Sequence, residues 1–271
     1  MVFEQFLESK KIKKHFLYLL LLGLFYVLVS HIISDVFFPE EEASLVIIFI
    51  TTMFLIPSTY VLLNNEEAID AKCEGIKCFF KNHKFMMKIY FALFIGIFIG
   101  FTLVNIYAAD SPMEYQKKVL RYNGDINEDL SIDINQENAN WGSVMSFVGY
   151  NTAIIIVAFF LSVFYGAGAL FLLILNASIF SAYITILFQN FNSLKIIFAS
   201  AHMIPELFGF FLAALAGGII SRALFKEKFM SDEFRNVVKD AIFLLLLSFL
   251  VIVVAAILEV FVVINFFHLF I

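Results

Sequence analysis

Residues 241–258 read AIFLLLLSFLVIVVAAIL, and Glu259 follows. Eighteen residues without a charge make about 27 Å of α-helix, close to the ~30 Å hydrocarbon thickness of a bilayer. A helix apolar on every side is buried in a large core or in a bilayer, and the length of this stretch matches a membrane span. The carboxylate at its far end then sits at or near bilayer depth, where a charge is costly and signals function.

Composition extends that reading to the whole chain. Of 271 residues, 62% are hydrophobic and 15% charged, against ~45–50% and ~25% in soluble domains. Mean hydropathy is +0.92. Phe occurs 36 times, which suits lipid-facing helices. The expected fold is an all-α polytopic membrane bundle, a single integral membrane domain over 1–271. No basic face with interleaved aromatics marks a nucleic-acid binder. Cys73 and Cys78 are not spaced C-x-x-C, and no His/Cys cluster completes a zinc site. No metal and no cofactor is expected. The run Phe16 to Ile33 is too long for a signal-peptide core and reads as an uncleaved first span.

Seven segments are long and apolar enough to cross: about 15–34, 43–63, 87–108, 144–165, 168–189, 203–222 and 241–266. Gly166 and Gly168 make the tight turn between the fourth and fifth. With the N-terminus inside, fourteen of the 18 Lys and Arg fall on the inner side, as the positive-inside rule requires. They are Lys10, Lys11, Lys13 and Lys14; Lys72, Lys77, Lys81, Lys84 and Lys88; and Arg222, Lys226, Lys228, Arg235 and Lys239. The chain is therefore expected N-in and C-out in a cell membrane, multi-pass. The polar loop 109–142 is extracytoplasmic, ends at the interfacial Trp141, and is either a solvated connector or a partner-binding segment. Residues 66–88 mix charges with aromatics and read as an amphipathic helix on the inner leaflet.

Within that topology, His202-Met203-Ile204-Pro205-Glu206 stands between two apolar runs. Pro205 fits a first helical position, which places Glu206 in the first turn and His202 before the helix. The short stretch 194–204 is either an interfacial loop or a re-entrant segment, the latter permitted only where protein covers it. Glu259 and Asn151 come to a similar outer depth by helix rise; Asn176 lies deeper. Asn151, Asn176, His202, Glu206 and Glu259 are thus the candidates for a polar cluster. Either asparagine could equally act as interhelical glue. Gly96 and Gly100, and Ala213, Ala214, Gly217 and Gly218, mark faces for close helix packing, within the chain or in a homo-oligomer.

In order, several of these residues resemble the stage II sporulation protein M family of integral membrane proteins. They are Asn151; Gly166 and Gly168; Asn176-Ala177; His202 to Glu206; Ala213 to Gly218; and Ala255-Ala256-Ile257-Leu258-Glu259 with Phe261. The resemblance covers about 145–265. It departs at Ala177, where the family commonly has glycine, and at Ile204-Pro205. In endospore formers the family is implied to act as a membrane partner in a complex that remodels peptidoglycan during engulfment. Relatives occur widely in prokaryotes, including archaea without peptidoglycan, so the resemblance implies a scaffold or partner subunit, and the sporulation role is not carried over.

Three functions compete. The first is a scaffold whose partners are the lipid bilayer and other membrane proteins, with no catalytic residues. The second is a transporter-like subunit using Glu206 and Glu259 for substrate or proton coupling; its pointer is the break at Pro205. The third is an intramembrane enzyme. H-E-x-x-H is absent, and the topology separates Glu66-Glu67 from His202.

Overall fold

The computed structural model describes residues 16–39, 43–64, 76–108, 114–123, 140–165, 168–190, 200–226 and 231–264. Among these, the only regular structure is helical. In chain order the helices are α1 (Phe16–Phe37), α2 (Ala43–Asn64), α3 (Ile76–Tyr107), α4 (Glu114–Asn123), α5 (Trp141–Tyr165), α6 (Gly168–Asn190), α7 (Met203–Lys226) and α8 (Asp232–Leu258). A π-helical turn over Glu259–Ile264 extends α8. Six of them, all but α2 and α4, are long and apolar enough to cross a bilayer. The apolar part of α2, Ala43–Thr59, is shorter. Outward side chains such as Leu17, Leu21, Phe25, Phe160, Phe164, Leu246 and Leu250 are exposed, as lipid-facing positions should be.

Several helices start earlier than the hydrophobic runs. α3 takes in residues 76–88 as its own first turns, so they form no separate surface helix; the rest of 66–88 lies outside the described residues. α8 begins at Asp232, where the Ser231 hydroxyl accepts the Phe234 N–H at 3.2 Å. That cap starts a helix whose first turns are charged. Likewise Asn140 Oδ1 accepts the Ser143 N–H at 3.0 Å and caps α5. Within the loop 109–142, residues 114–123 are helical, with Gln116 and Leu120 buried. The stretch 124–139 lies outside the described residues.

The chain divides into two compact units. Unit 1 comprises residues 1–116 and 173–182; unit 2 comprises 117–172 and 183–271. In unit 1, α1 and α3 pack closely because glycines meet backbone. A Cβ at Gly96 would overlap the Leu20 carbonyl, and one at Gly23 would lie 2.8 Å from the Leu93 carbonyl oxygen. Gly100 faces Val27. α1 and α2 are joined by hydroxyls: Tyr26 Oη and Ser58 Oγ are 2.7 Å apart, and Thr51 donates to Ser30 Oγ at 3.0 Å.

Unit 2 is organised by α5, α7 and α8. α7 and α8 are antiparallel: Gly209 packs on Ile252, and the Ser248 hydroxyl donates to the Gly209 carbonyl at 2.8 Å. The start of α5 meets the end of α8, where Val144 packs with Ala256 and Val260. Trp141 and Phe261 stack edge to face there, 5.3 Å between centroids. Further along, a Cβ at Gly217 would lie 2.5 Å from the Phe159 carbonyl oxygen and 2.5 Å from Ser162 Cβ. α5 and α7 therefore run parallel, both beginning where α8 finishes.

Candidate functional site

The end of unit 2 where α5 and α7 begin carries the polar residues. His202 is the residue that opens α7. Its carbonyl accepts the Glu206 N–H at 3.1 Å, the first bond of the helix. The helix thus begins at Met203, and Pro205 is its third residue instead of its first. Proline is tolerated at both places, because the first four N–H groups of a helix have no intrahelical acceptor. His202 is consequently held at the helix entrance, with no room for a separate turn between it and Glu206.

Glu259 approaches from the opposite direction, at the step where α8 becomes a π turn. Its N–H is shared between the Ala255 and Ala256 carbonyls, the α and 3₁₀ acceptors, just as the chain passes into the π turn. Single π turns inside α-helices are frequent at functional sites. His202 Nε2 and Glu259 Oε1 are 4.0 Å apart, with side chains 7% and 13% exposed. That is ion-pair distance when the imidazole is protonated and too long for a hydrogen bond. At an effective dielectric of ~20 such a pair attracts by about 4 kcal/mol, more than the ~2.5–3.5 kcal/mol of placing one charge at bilayer depth and less than the cost of placing both. The Tyr183 ring, on the last part of α6, meets the imidazole edge to face at 6.3 Å. Three helices converge on His202.

Asn151 is 3% exposed on α5, and its Oδ1 has no hydrogen-bond partner among the described residues. A buried acceptor left so costs roughly 1–3 kcal/mol. Glu206, in the first turn of α7, is half-buried. Asn176, on α6, belongs to unit 1. Ala213 and Gly218 are buried on α7, with Gly217 against α5. Among the described residues no group of three or more His, Cys, Asp or Glu is arranged to hold a metal. Residues 194–199, Gly166 and Cys73 lie outside the described residues, and Cys78 lies on α3.

A second polar cluster, in unit 1, went unnoticed in the sequence. Ser181 Oγ accepts from Asn105 Nδ2 at 2.8 Å and lies 3.2 Å from Thr102 Oγ1, whose one proton also has the Phe98 carbonyl at 2.8 Å. Gln116, 2% exposed at the start of α4, donates to Ser178 Oγ at 3.3 Å. None of these side chains is ionisable, so a search for charges at bilayer depth passes over them. The usable signal is Thr102 and Asn105, three apart on one helix face, and Ser178 and Ser181 with the same spacing.

Apolar helices on this scale and a charged pair confined to one helical end define a polytopic membrane protein of the all-α class. The chain belongs to the stage II sporulation protein M family, whose sequence model matches residues 89–263. That match reaches back through most of α3 and all of α4, beyond the 145–265 that the resemblance covers. No curated protein and no solved structure matches the chain.

Proposed function

We propose that this protein is a scaffold or partner subunit of a membrane complex in the cell membrane. In this reading the His202–Glu259 end of unit 2 faces the extracytoplasmic side. The observation that carries it is the His202–Glu259 approach at 4.0 Å. The two ionisable groups that best qualify for chemistry are turned toward each other across α7 and α8. Ser248 likewise serves the Gly209 carbonyl. Polar groups used this way fix the relative placement of helices, and a fixed surface is what a partner subunit needs. The distribution of Lys and Arg supports the orientation.

A transporter-like reading has one observation of its own, the π turn that opens at Glu259. It assigns Glu206 and Glu259 to substrate or proton coupling. Affinity purification of the full chain in mild detergent separates the two. A scaffold that binds through its loop brings down the same partner with Glu206→Gln and Glu259→Gln as with wild type. It loses that partner when 124–139 is deleted, a cut that spares Gln116. Loss of the partner in the glutamine variants, with the fold intact, sinks the scaffold reading.

A further inference from the structure

The chain that follows α3 does not simply run outward. α3 ends at Tyr107, and the Ala108 N–H still bonds the Val104 carbonyl at 2.9 Å. Two residues before that end, Asn105 reaches Ser181 of α6 at 2.8 Å. Gln116 of α4, further along the chain, reaches Ser178 of α6 at 3.3 Å. With α3 and α6 both directed outward, Ser178 lies about 4.5 Å deeper than Ser181 along α6. The chain has therefore turned back past the level of Asn105. The apolar stretch Leu170–Gln189 of α6 sets the scale. Ser178 is 178 − 170 = 8 residues from its start and 189 − 178 = 11 from its end, about 12 and 16 Å. The apolar stretch of α3, Met87–Tyr107, has only two residues left after Asn105. That of α6 has 189 − 181 = 8 left after Ser181, about 12 Å of helix. α3 thus stops short beside α6.

The two faces of α4 fit the space above that end. Gln116 and Leu120, four apart, are buried. Glu114, Lys118 and Arg121 are exposed on the opposite face. Exposed charges at such a depth are costly against lipid, and a non-spanning segment is tolerated there only against protein or water. The orientation of the Gln116 amide is fixed as well. The Ser178 hydroxyl donates to the Leu175 carbonyl at 2.7 Å, so Ser178 Oγ can only accept, and the amide nitrogen faces it. Gln116 Oε1 has no donor among the described residues, which leaves the Ser178 bond as the polar hold on this side chain. We propose that the chain after α3 is re-entrant. It carries the start of α4 into a water-filled recess that opens outward over the end of α3, and Gln116 latches it to α6. The recess admits small hydrophilic solutes and excludes macromolecules. The segment 124–139 leaves directly from α4, so whatever engages that segment acts on a helix latched in the membrane. An inserted α4 suits a scaffold and a transporter alike; it needs only the outward orientation.

The test is thiol labelling of the full chain in intact cells, in a background without Cys73 and Cys78. Glu114→Cys sets a thiol on the exposed face of α4, and Asn140→Cys sets one at the exposed start of α5. A small impermeant methanethiosulfonate should label both. A maleimide carried on a bulky polyethylene glycol should label Asn140→Cys and spare Glu114→Cys. Two further changes release the latch: Gln116→Glu, whose carboxylate cannot donate to Ser178 Oγ, and Ser178→Ala, which removes the acceptor. Each should raise bulky labelling of Glu114→Cys by about fivefold or more, the factor that one lost hydrogen bond makes in a two-state ratio. Equal labelling of the two cysteines by the bulky reagent, with Gln116 and Ser178 in place, would overturn the insertion. That comparison needs only substitutions at exposed positions. Failure of the small reagent to label Glu114→Cys would overturn the water-filled recess. Bulky labelling unchanged by both latch variants would overturn the role of Gln116. Labelling of Asn140→Cys only after permeabilisation would overturn the outward opening. The scaffold reading fails separately, by loss of the partner in the Glu206→Gln and Glu259→Gln variants.

Discussion

Glu259 Oε1 lies 4.0 Å from His202 Nε2, and the two residues stand at opposite kinds of helix end. His202 opens α7; Glu259 closes the α-helical part of α8. The N-terminus of a helix carries partial positive charge, which favours a nearby carboxylate. Glu259 therefore gains from the start of α7 as well as from the imidazole, while the imidazolium draws its support from Glu259. The pair is an inter-helix tie made where both helices need one.

The glycines of unit 1 and unit 2 separate into two behaviours. Gly96→Ala sets a Cβ against the Leu20 backbone, which no rotamer change can relieve. It should cost about 1–3 kcal/mol, as overpacking does. Gly149→Ala meets nothing within 4 Å and should be neutral or gain up to about 1 kcal/mol from helix propensity. Thermal unfolding of the two variants side by side checks this. Equal effects would mean α1 and α3 do not pack through Gly96.

Ser181→Ala removes the acceptor of the Asn105 amide and the hydroxyl beside Thr102. Thr102 keeps its bond to the Phe98 carbonyl at 2.8 Å, whereas buried Asn105 is left with a donor to satisfy. The expected loss is about 1–2 kcal/mol. Asn105→Leu combined with Ser181→Ala should recover part of it, and a strictly additive double variant would refute the cluster.

Orientation is tested by single cysteines in a background without Cys73 and Cys78. Asn140 and Asp232 are both exposed, at the start of α5 and α8 respectively. An impermeant thiol reagent applied to intact cells should label Asn140→Cys at once, and Asp232→Cys only after permeabilisation. The reverse pattern would invert the topology and move the His202–Glu259 end to the cytoplasm.

How much of this was legible in the sequence depends on the kind of force involved. Apolar length marks where helices cross: six of the seven expected segments coincide with helices long and apolar enough to do so, and the second, 43–63, with α2, whose apolar part is shorter. Helix starts were harder. Charged residues such as Arg235 and Lys239 end a hydrophobic run without ending a helix, so α8 extends back to its Ser231 cap. Pro205 could not fix the start of α7, because proline is accepted anywhere in a helix's first turn. His202 and Glu259 were visible as costly charges, and helix rise alone set them at similar depth. Their facing each other depends on rotation about the helix axes, which neither hydropathy nor linear spacing carries. Ser181 and Ser178 were invisible for another reason. A serine in an apolar helix commonly bonds its own preceding turn, as Ser162 does to the Ala158 carbonyl and Ser178 to the Leu175 carbonyl, both at 2.7 Å, and only the neighbouring helix decides whether its oxygen also accepts a bond from outside.

His202 and Glu259 act as a pair that holds α7 to α8. A double-mutant cycle on the full chain in detergent measures it directly, with His202→Gln, Glu259→Gln and the double variant followed by thermal unfolding at near-neutral pH. Each single change should destabilise by about 1–3 kcal/mol, and the double variant should lose at least about 1 kcal/mol less than the sum. Two independent, additive losses would contradict it, because residues that do not sense each other cannot be the tie.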